Sequence, residues 1–166
     1  KSALDNGYMH TSGLKHEDSL VFLMQHRFEA PVNNWFDQNV SIKYENDNLF
    51  QSLKNRRYSA TFKLDLQTIQ WSEVAKIQIS LDYRNSGPME TSLIFALQDQ
   101  NEQDIVWKSQ ELSSHEGSWK KQVWTQDRQP VWDEARYLGV YIWNAGQSDV
   151  EIDNVHLAMS RRSIEH

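Results

Sequence analysis

The sequence predicts an all-β protein, a β-sandwich of two antiparallel sheets, on three observations. Short runs in which apolar and polar residues alternate recur along the 166 residues, and a period of two is typical of strands with one buried face. Turn-forming sequences such as Asn-Ser-Gly-Pro at 85–88 separate these runs. No stretch has the period of an amphipathic helix, although residues 66–74 could form one helical turn.

The strand predictions follow the alternation in chain order. The predicted strands are residues 20–28, 40–44, 58–66, 75–84, 91–98, 105–109, 119–125 and two runs within 136–157 that flank a turn at 145–148. In the third strand the alternation places Tyr58, Phe62 and Leu64 on the inner face. In the fourth, Ile77 to Tyr83 supplies the inner row, and Asp82 and Arg84 belong to the outward row.

The run from 136 to 144 is apolar on one side and aromatic on the other. Leu138, Val140 and Ile142 alternate with Tyr137, Gly139, Tyr141 and Trp143. The second row could be covered by more protein, or it could meet a ligand, and the pattern fits both.

Length and composition predict one domain and exclude several functions. We expect a sandwich domain over residues 20–159, preceded by a loop or linker at 1–19 and followed by a tail at 160–166. A net charge of −6 argues against nucleic-acid binding. No apolar run approaches the length of about 20 residues that spans a membrane. The lack of cysteine excludes disulfides, thiolate zinc sites and cysteine nucleophiles.

The sequence carries no catalytic motif. A nucleotide-binding glycine loop, HExxH and GxSxG are all missing, and the six histidines are scattered. Carboxylates such as Asp82 and Asp133 could be imagined as a hydrolytic pair, but nothing singles them out. We therefore predict no catalytic residues and no enzyme.

Three short segments resemble the galactose-binding-like jelly-roll β-sandwiches, which include many carbohydrate-binding modules. The segments are Phe28-Glu29 followed by Trp35, Tyr58-Ser59-Ala60, and Tyr141-Ile142-Trp143-Asn144 followed by Ile152-Asp153-Asn154-Val155. The resemblance covers about residues 20–159. It implies a non-catalytic accessory or binding domain of a larger exported protein, which would be secreted, periplasmic or on the cell surface.

The same resemblance implies one structural calcium ion. It would bring Asp153 and Glu29 together at one edge of the sandwich, where calcium takes six to eight oxygen ligands. The turn at 45–48 could complete the shell. The alternative is that Asp153 and Asn154 only form a β-bulge or satisfy turn amides.

The outward rows predict a ligand surface. If Tyr141, Trp143 and Trp124 share one sheet face, they would stack on the apolar patches of a glycan, with Arg84 and Asp82 as hydrogen-bonding partners. A protein–protein contact uses the same residue types. A structural or protein-interaction domain without a small ligand is therefore the alternative to a glycan-binding module, and a jelly-roll enzyme acting on glycans is a third reading.

Overall fold

The computed structural model describes residues 20–26, 35–36, 42–45, 48–59, 61–114 and 117–161. For residues 25–26, 35–36, 42–45 and 48–50 it describes the backbone alone. Within these ranges the chain forms two antiparallel sheets packed face to face, so the predicted all-β jelly-roll sandwich is confirmed.

One sheet has six strands and the other has five. The six-stranded sheet contains β1 (Leu20–His26), β3 (Ile42–Glu45), β4 (Asn48–Ser52), β6 (Val74–Ser86), β9 (Lys120–Asp127) and β11 (Asp149–Arg161). Its order is β3-β4-β11-β6-β9, and β1 also pairs with β11. The five-stranded sheet has the order β2-β5-β10-β7-β8. Its strands are β2 (Trp35–Phe36), β5 (Thr61–Asp65), β7 (Thr91–Gln98), β8 (Asp104–Glu111) and β10 (Tyr137–Asn144).

The core lies between the sheets and is built from the predicted apolar rows. The inner row of β6 (Ile77, Ile79, Leu81 and Tyr83) is at most 1% exposed. It faces the inner rows of β7 and β10 across the sandwich. At one end, Trp132 stacks on Trp71 with ring centroids 5.4 Å apart. Continuous apolar burial of this kind is the main stabilising term for such a fold.

The irregular elements differ from the sequence prediction in detail. The helical turn predicted at 66–74 is present as two short 3₁₀ turns, Leu66–Thr68 and Trp71–Glu73. Strand β4 begins inside the stretch that was predicted to be a turn, and β11 continues two residues beyond 159. No helix in the described ranges has the length and hydropathy needed to cross a membrane.

Tyr58 points away from the core, so its predicted inward orientation is wrong. It forms a bridge with Trp143, whereas Phe62 pairs with Val140. The two pairings differ by one residue in register, and a shift of one residue turns a side chain to the opposite face of a sheet. At the shift, the buried Ser59 donates its backbone N–H to the carbonyl of Ile142, and its hydroxyl accepts from the Ile142 N–H.

The side chain of Asn144 fixes the end of β10. It is fully buried, and its Nδ2 lies 3.1 Å from the carbonyls of Leu53 and Arg56 and 2.9 Å from that of Ser148. Its Oδ1 accepts from the Thr91 hydroxyl at 2.9 Å. One amide thus joins β10 to β7 and to the loop that leads to Tyr58.

We expect Asn144→Ala to lower the free energy of unfolding by about 3 kcal/mol, because several buried polar groups lose their partner. Thr91→Val is the matched control. It removes one of these hydrogen bonds and should cost about 1 kcal/mol. Urea unfolding followed by circular dichroism measures both changes, and an Asn144→Ala variant as stable as the wild type would contradict this role.

Candidate functional site

The outer face of the five-stranded sheet carries a group of exposed rings. We call Tyr58, Trp107, Tyr141 and Trp143 the aromatic face. Tyr58 is 51% exposed, Trp107 45% and Trp143 37%, and Tyr141 is partly buried. Soluble domains rarely leave several large rings together in water unless something binds there.

The four rings hold one another in place. Tyr58 and Tyr141 pack edge to face with centroids 6.0 Å apart, and Trp107 and Trp143 do the same at 6.1 Å. The indole Nε1 of Trp107 lies 3.2 Å from the Tyr141 hydroxyl, to which it donates. Such edge-to-face pairs favour fixed ring orientations, so the surface is ordered before any ligand arrives.

Strand register sets the position of each ring. Trp143 bridges to Tyr58, Tyr141 pairs with Ile94, and Trp107 pairs with Ala96. Ile94 and Ala96 are buried at 0% and 6% exposure although both point away from the core. Other side chains therefore cover Ile94 and Ala96, and the rings of the aromatic face lie above a layer of buried apolar residues.

Charged side chains mark the end of this face at the start of β10. The ammonium of Lys63 lies 4.8 Å from the centre of the Tyr137 ring and pairs with the Glu102 carboxylate. The Arg136 guanidinium lies 5.2 Å from the same ring. Cations already contact the Tyr137 ring, so Tyr137 is not a free stacking surface.

Arg136 also pairs with Asp65 through two hydrogen bonds of 2.8 and 3.1 Å. These bonds, and then one from the backbone N–H of Gln67, hold the pKa of the Asp65 carboxyl below its ordinary value. The hydrogen bonds to Asp65 likewise raise the pKa of the Arg136 guanidinium above its ordinary value. Both groups therefore stay charged at neutral pH.

A cavity of about 430 Å³ lies next to this ion pair. It lies between the 3₁₀ turns after β5, the β7–β8 loop and the start of β10, and is lined by Leu66, Gln67, Trp71, Asp99, Gln100, Asn101, Glu134, Ala135 and Arg136. None of the four rings of the aromatic face lines it.

The structure brings together only two of the five predicted ligand contacts. Tyr141 and Trp143 share the aromatic face, but Trp124, Arg84 and Asp82 belong to the six-stranded sheet. Trp124 pairs with the core residue Ile79 and packs against Phe95 at 6.4 Å, so it points inward. The prediction that the five residues share one face is wrong for these three.

Arg84 and Asp82 point outward as predicted, but on the other side of the sandwich. Arg84 donates to Glu151 at 2.6 Å and lies 4.7 Å from the centre of the Trp119 ring. Asp82 accepts a hydrogen bond of 2.7 Å from Asn154. Both side chains are held by neighbours on their own sheet.

Sequence reasoning missed Tyr58 and Trp107. The β7–β8 hairpin pairs Trp107 with Ala96, which lies on the outward row of β7. Counting residues from the hairpin loop at 99–103 would have paired Trp107 with the inward Phe95, because the pairing of β7 and β8 shifts by one residue next to that loop. Tyr58 could not be found by counting either, because its orientation depends on the register shift after it.

The predicted calcium ligands are only partly described. Asp153 is 2% exposed and lies opposite Asp82, at a register shift where Asn154 adopts a φ of 49°. The β-bulge predicted as an alternative is therefore present. Glu29 lies outside the described residues, and within them no three His, Asp or Glu side chains group as metal ligands. The calcium site stays a prediction.

The fold is similar to that of solved carbohydrate-binding modules. The CBM22-1 xylan-binding domain of Paenibacillus barcinonensis Xyn10C matches 87% of this chain and 99% of its own, with a TM-score of 0.57 and 11% identity. The family 11 carbohydrate-binding module of Clostridium thermocellum Lic26A-Cel5E matches 89% and 99%, with a TM-score of 0.53 and 17% identity.

A third similar structure is a two-module fragment. The CBM22-1-GH10 modules of Clostridium thermocellum xylanase 10B, complexed with xylohexaose, match 89% of this chain and 30% of theirs, with a TM-score of 0.58 and 14% identity. No protein-family model and no curated protein matches the sequence. At these identities the likeness establishes the fold, and the predicted resemblance to carbohydrate-binding modules is confirmed at that level.

Proposed function

We propose that this domain is a non-catalytic carbohydrate-binding module and that its ligand lies on the aromatic face. The observation that carries the proposal is the exposure of Tyr58, Trp107 and Trp143 on one sheet face. The likeness in fold to solved xylan-binding and family 11 modules supports it.

The chemistry of the face suits a sugar. Pyranose rings present apolar C–H patches, which stack on flat aromatic rings, and hydroxyls, which need polar partners nearby. The Trp107–Tyr141 hydrogen bond places an indole N–H and a phenol hydroxyl among the rings. The Lys63–Glu102 pair adds a donor and an acceptor at one end.

The ligand class we propose is a plant cell-wall polysaccharide, with xylan as the first candidate. This rests on the similar modules that are described as xylan-binding or complexed with xylohexaose. By the same likeness, the domain would act as an accessory module beside a glycan-active catalytic domain of a larger, exported protein. The module itself would carry no catalysis.

Trp107→Ala and Trp143→Ala should each weaken retention on a xylan-containing affinity gel at least tenfold, because each removes an exposed stacking ring. A tenfold loss corresponds to about 1.4 kcal/mol. The melting temperature should change little, because both rings are largely outside the core.

Val123→Ala is the matched control, since Val123 is 46% exposed on the other sheet. It should bind like the wild type. A panel that also contains cellulose, mixed-linkage glucan and mannan identifies the sugar. Failure of the wild type to bind any member of the panel would contradict the proposal, and so would retention of both tryptophan variants as strong as that of the wild type.

We further propose that Asp153 contributes to a structural calcium site, as the jelly-roll resemblance implies. The supporting observation is a carboxylate at 2% exposure on a β-bulge, opposite the second carboxylate of Asp82. Burying a carboxylate is costly, and a bound cation offsets that cost. The remaining ligands would come from outside the described residues, among them Glu29.

Calcium at about 100 times its dissociation constant should add about 2.7 kcal/mol to the stability of the wild type. Asp153→Asn should lose this gain. Asp127→Asn, whose side chain is 73% exposed, should keep it. Differential scanning calorimetry with calcium or with EDTA measures the effect, and an equal melting temperature of the wild type in both would refute the site.

A further inference from the structure

Gly139 interrupts the aromatic row of β10. The outward residues of this strand are Tyr137, Gly139, Tyr141 and Trp143. Gly139 lies in the middle of a central strand, between β5 and β7, and is nonetheless partly exposed. Solvent therefore reaches the backbone of the sheet at this point.

Neither conformation nor packing requires a glycine there. Gly87 and Gly117 have positive φ, and Gly139 does not. A Cβ built on Gly139 meets no atom within 4 Å. Glycine weakens a strand interior, where branched and aromatic residues are favoured, so stability alone would select a larger residue. Glycine in a strand often marks a place where another molecule approaches the backbone.

The space above Gly139 has defined neighbours. Tyr137 and Tyr141 are four residues apart along the strand, which separates their Cα atoms by about 14 Å. Across the sheet, Gly139 pairs with Lys63 on β5 and Ala96 on β7. The gap thus lies between the aromatic face and the Lys63–Glu102 ion pair.

Resting on the proposed function, we infer that Gly139 forms a sugar subsite. One unit of the polysaccharide lies with its apolar face against the Gly139 backbone, while neighbouring units stack on the exposed rings. The Tyr141 hydroxyl on one side and the Lys63 ammonium on the other are placed to hydrogen-bond its hydroxyls. A side chain at position 139 would occupy the place of that sugar.

The test is a graded series, Gly139→Ala and Gly139→Val, with Ala158→Val as the matched control. Ala158 is partly exposed on the outward row of β11, between the core residues Leu157 and Met159. The probes are xylohexaose, cellohexaose and mannohexaose, titrated by isothermal calorimetry against each folded variant.

We expect Gly139→Val to bind the preferred hexasaccharide at least tenfold more weakly than the wild type and Gly139→Ala to fall between them. Both variants should melt at or above the wild-type temperature, because they restore a side chain to a strand interior. Ala158→Val should bind normally. Loss of affinity without loss of stability separates an occupied subsite from a structural role.

Wild-type affinity of Gly139→Val, with weakened binding by Trp107→Ala, would overturn the subsite and leave the proposed function standing. A wild type that binds none of the three hexasaccharides would overturn the subsite, and a wild type that is also retained on no gel of the polysaccharide panel would overturn the proposed function as well. Should Gly139→Val fail to fold, the amide signal of Gly139 in the ¹⁵N spectrum of the wild type tests the subsite instead. It should shift on addition of the preferred hexasaccharide, and an unmoved signal would overturn the subsite.

Discussion

The buried side chain of Asn144 is the interaction on which the arrangement of the outer face depends. Its amide joins the end of β10 to the 53–57 loop, and the backbone N–H of Asn144 donates to the Arg57 carbonyl at 2.6 Å. Tyr58 follows that loop directly and bridges to Trp143. A buried hydrogen-bond network thus positions the solvent-exposed ring of Tyr58.

The two rows of side chains on β10 have different roles. Leu138, Val140 and Ile142 are at most 2% exposed and belong to the core. The opposite row carries Tyr141 and Trp143, which stabilise the sandwich less because they stay in contact with solvent. Edge-to-face contacts with neighbouring rings fix the orientations of Tyr141 and Trp143, and a rigid row of rings loses little conformational freedom when it binds.

The fold could be predicted because apolar and polar residues alternate in strands that turn one face to the core. The inner rows of β6 and β10 could be predicted, since a period of two is a local property of the sequence. Sheet membership is not local. Asp82 and Arg84 were correctly placed outward, yet strand order puts β6 in the sheet opposite the aromatic face.

The orientations of Trp124 and Tyr58 were also predicted wrongly, each for a different physical reason. The strand at 119–125 has a tryptophan on each of its rows, so alternation could not decide that Trp124 points inward. Tyr58 is turned outward by a shift of one residue, which hydrogen bonds of Ser59 stabilise and which periodicity does not reveal. The candidate site could therefore be predicted only in the part contributed by β10.

The most direct test of the central claim uses the indole N–H signals of the seven tryptophans in ¹⁵N-labelled protein titrated with xylohexaose. If the aromatic face binds sugar, the signals of Trp107 and Trp143 move and saturate together, while those of the stacked pair Trp71 and Trp132 stay in place. Shifts confined to Trp119, beside Arg84 on the other sheet, or no shifts with any hexasaccharide, would contradict the account.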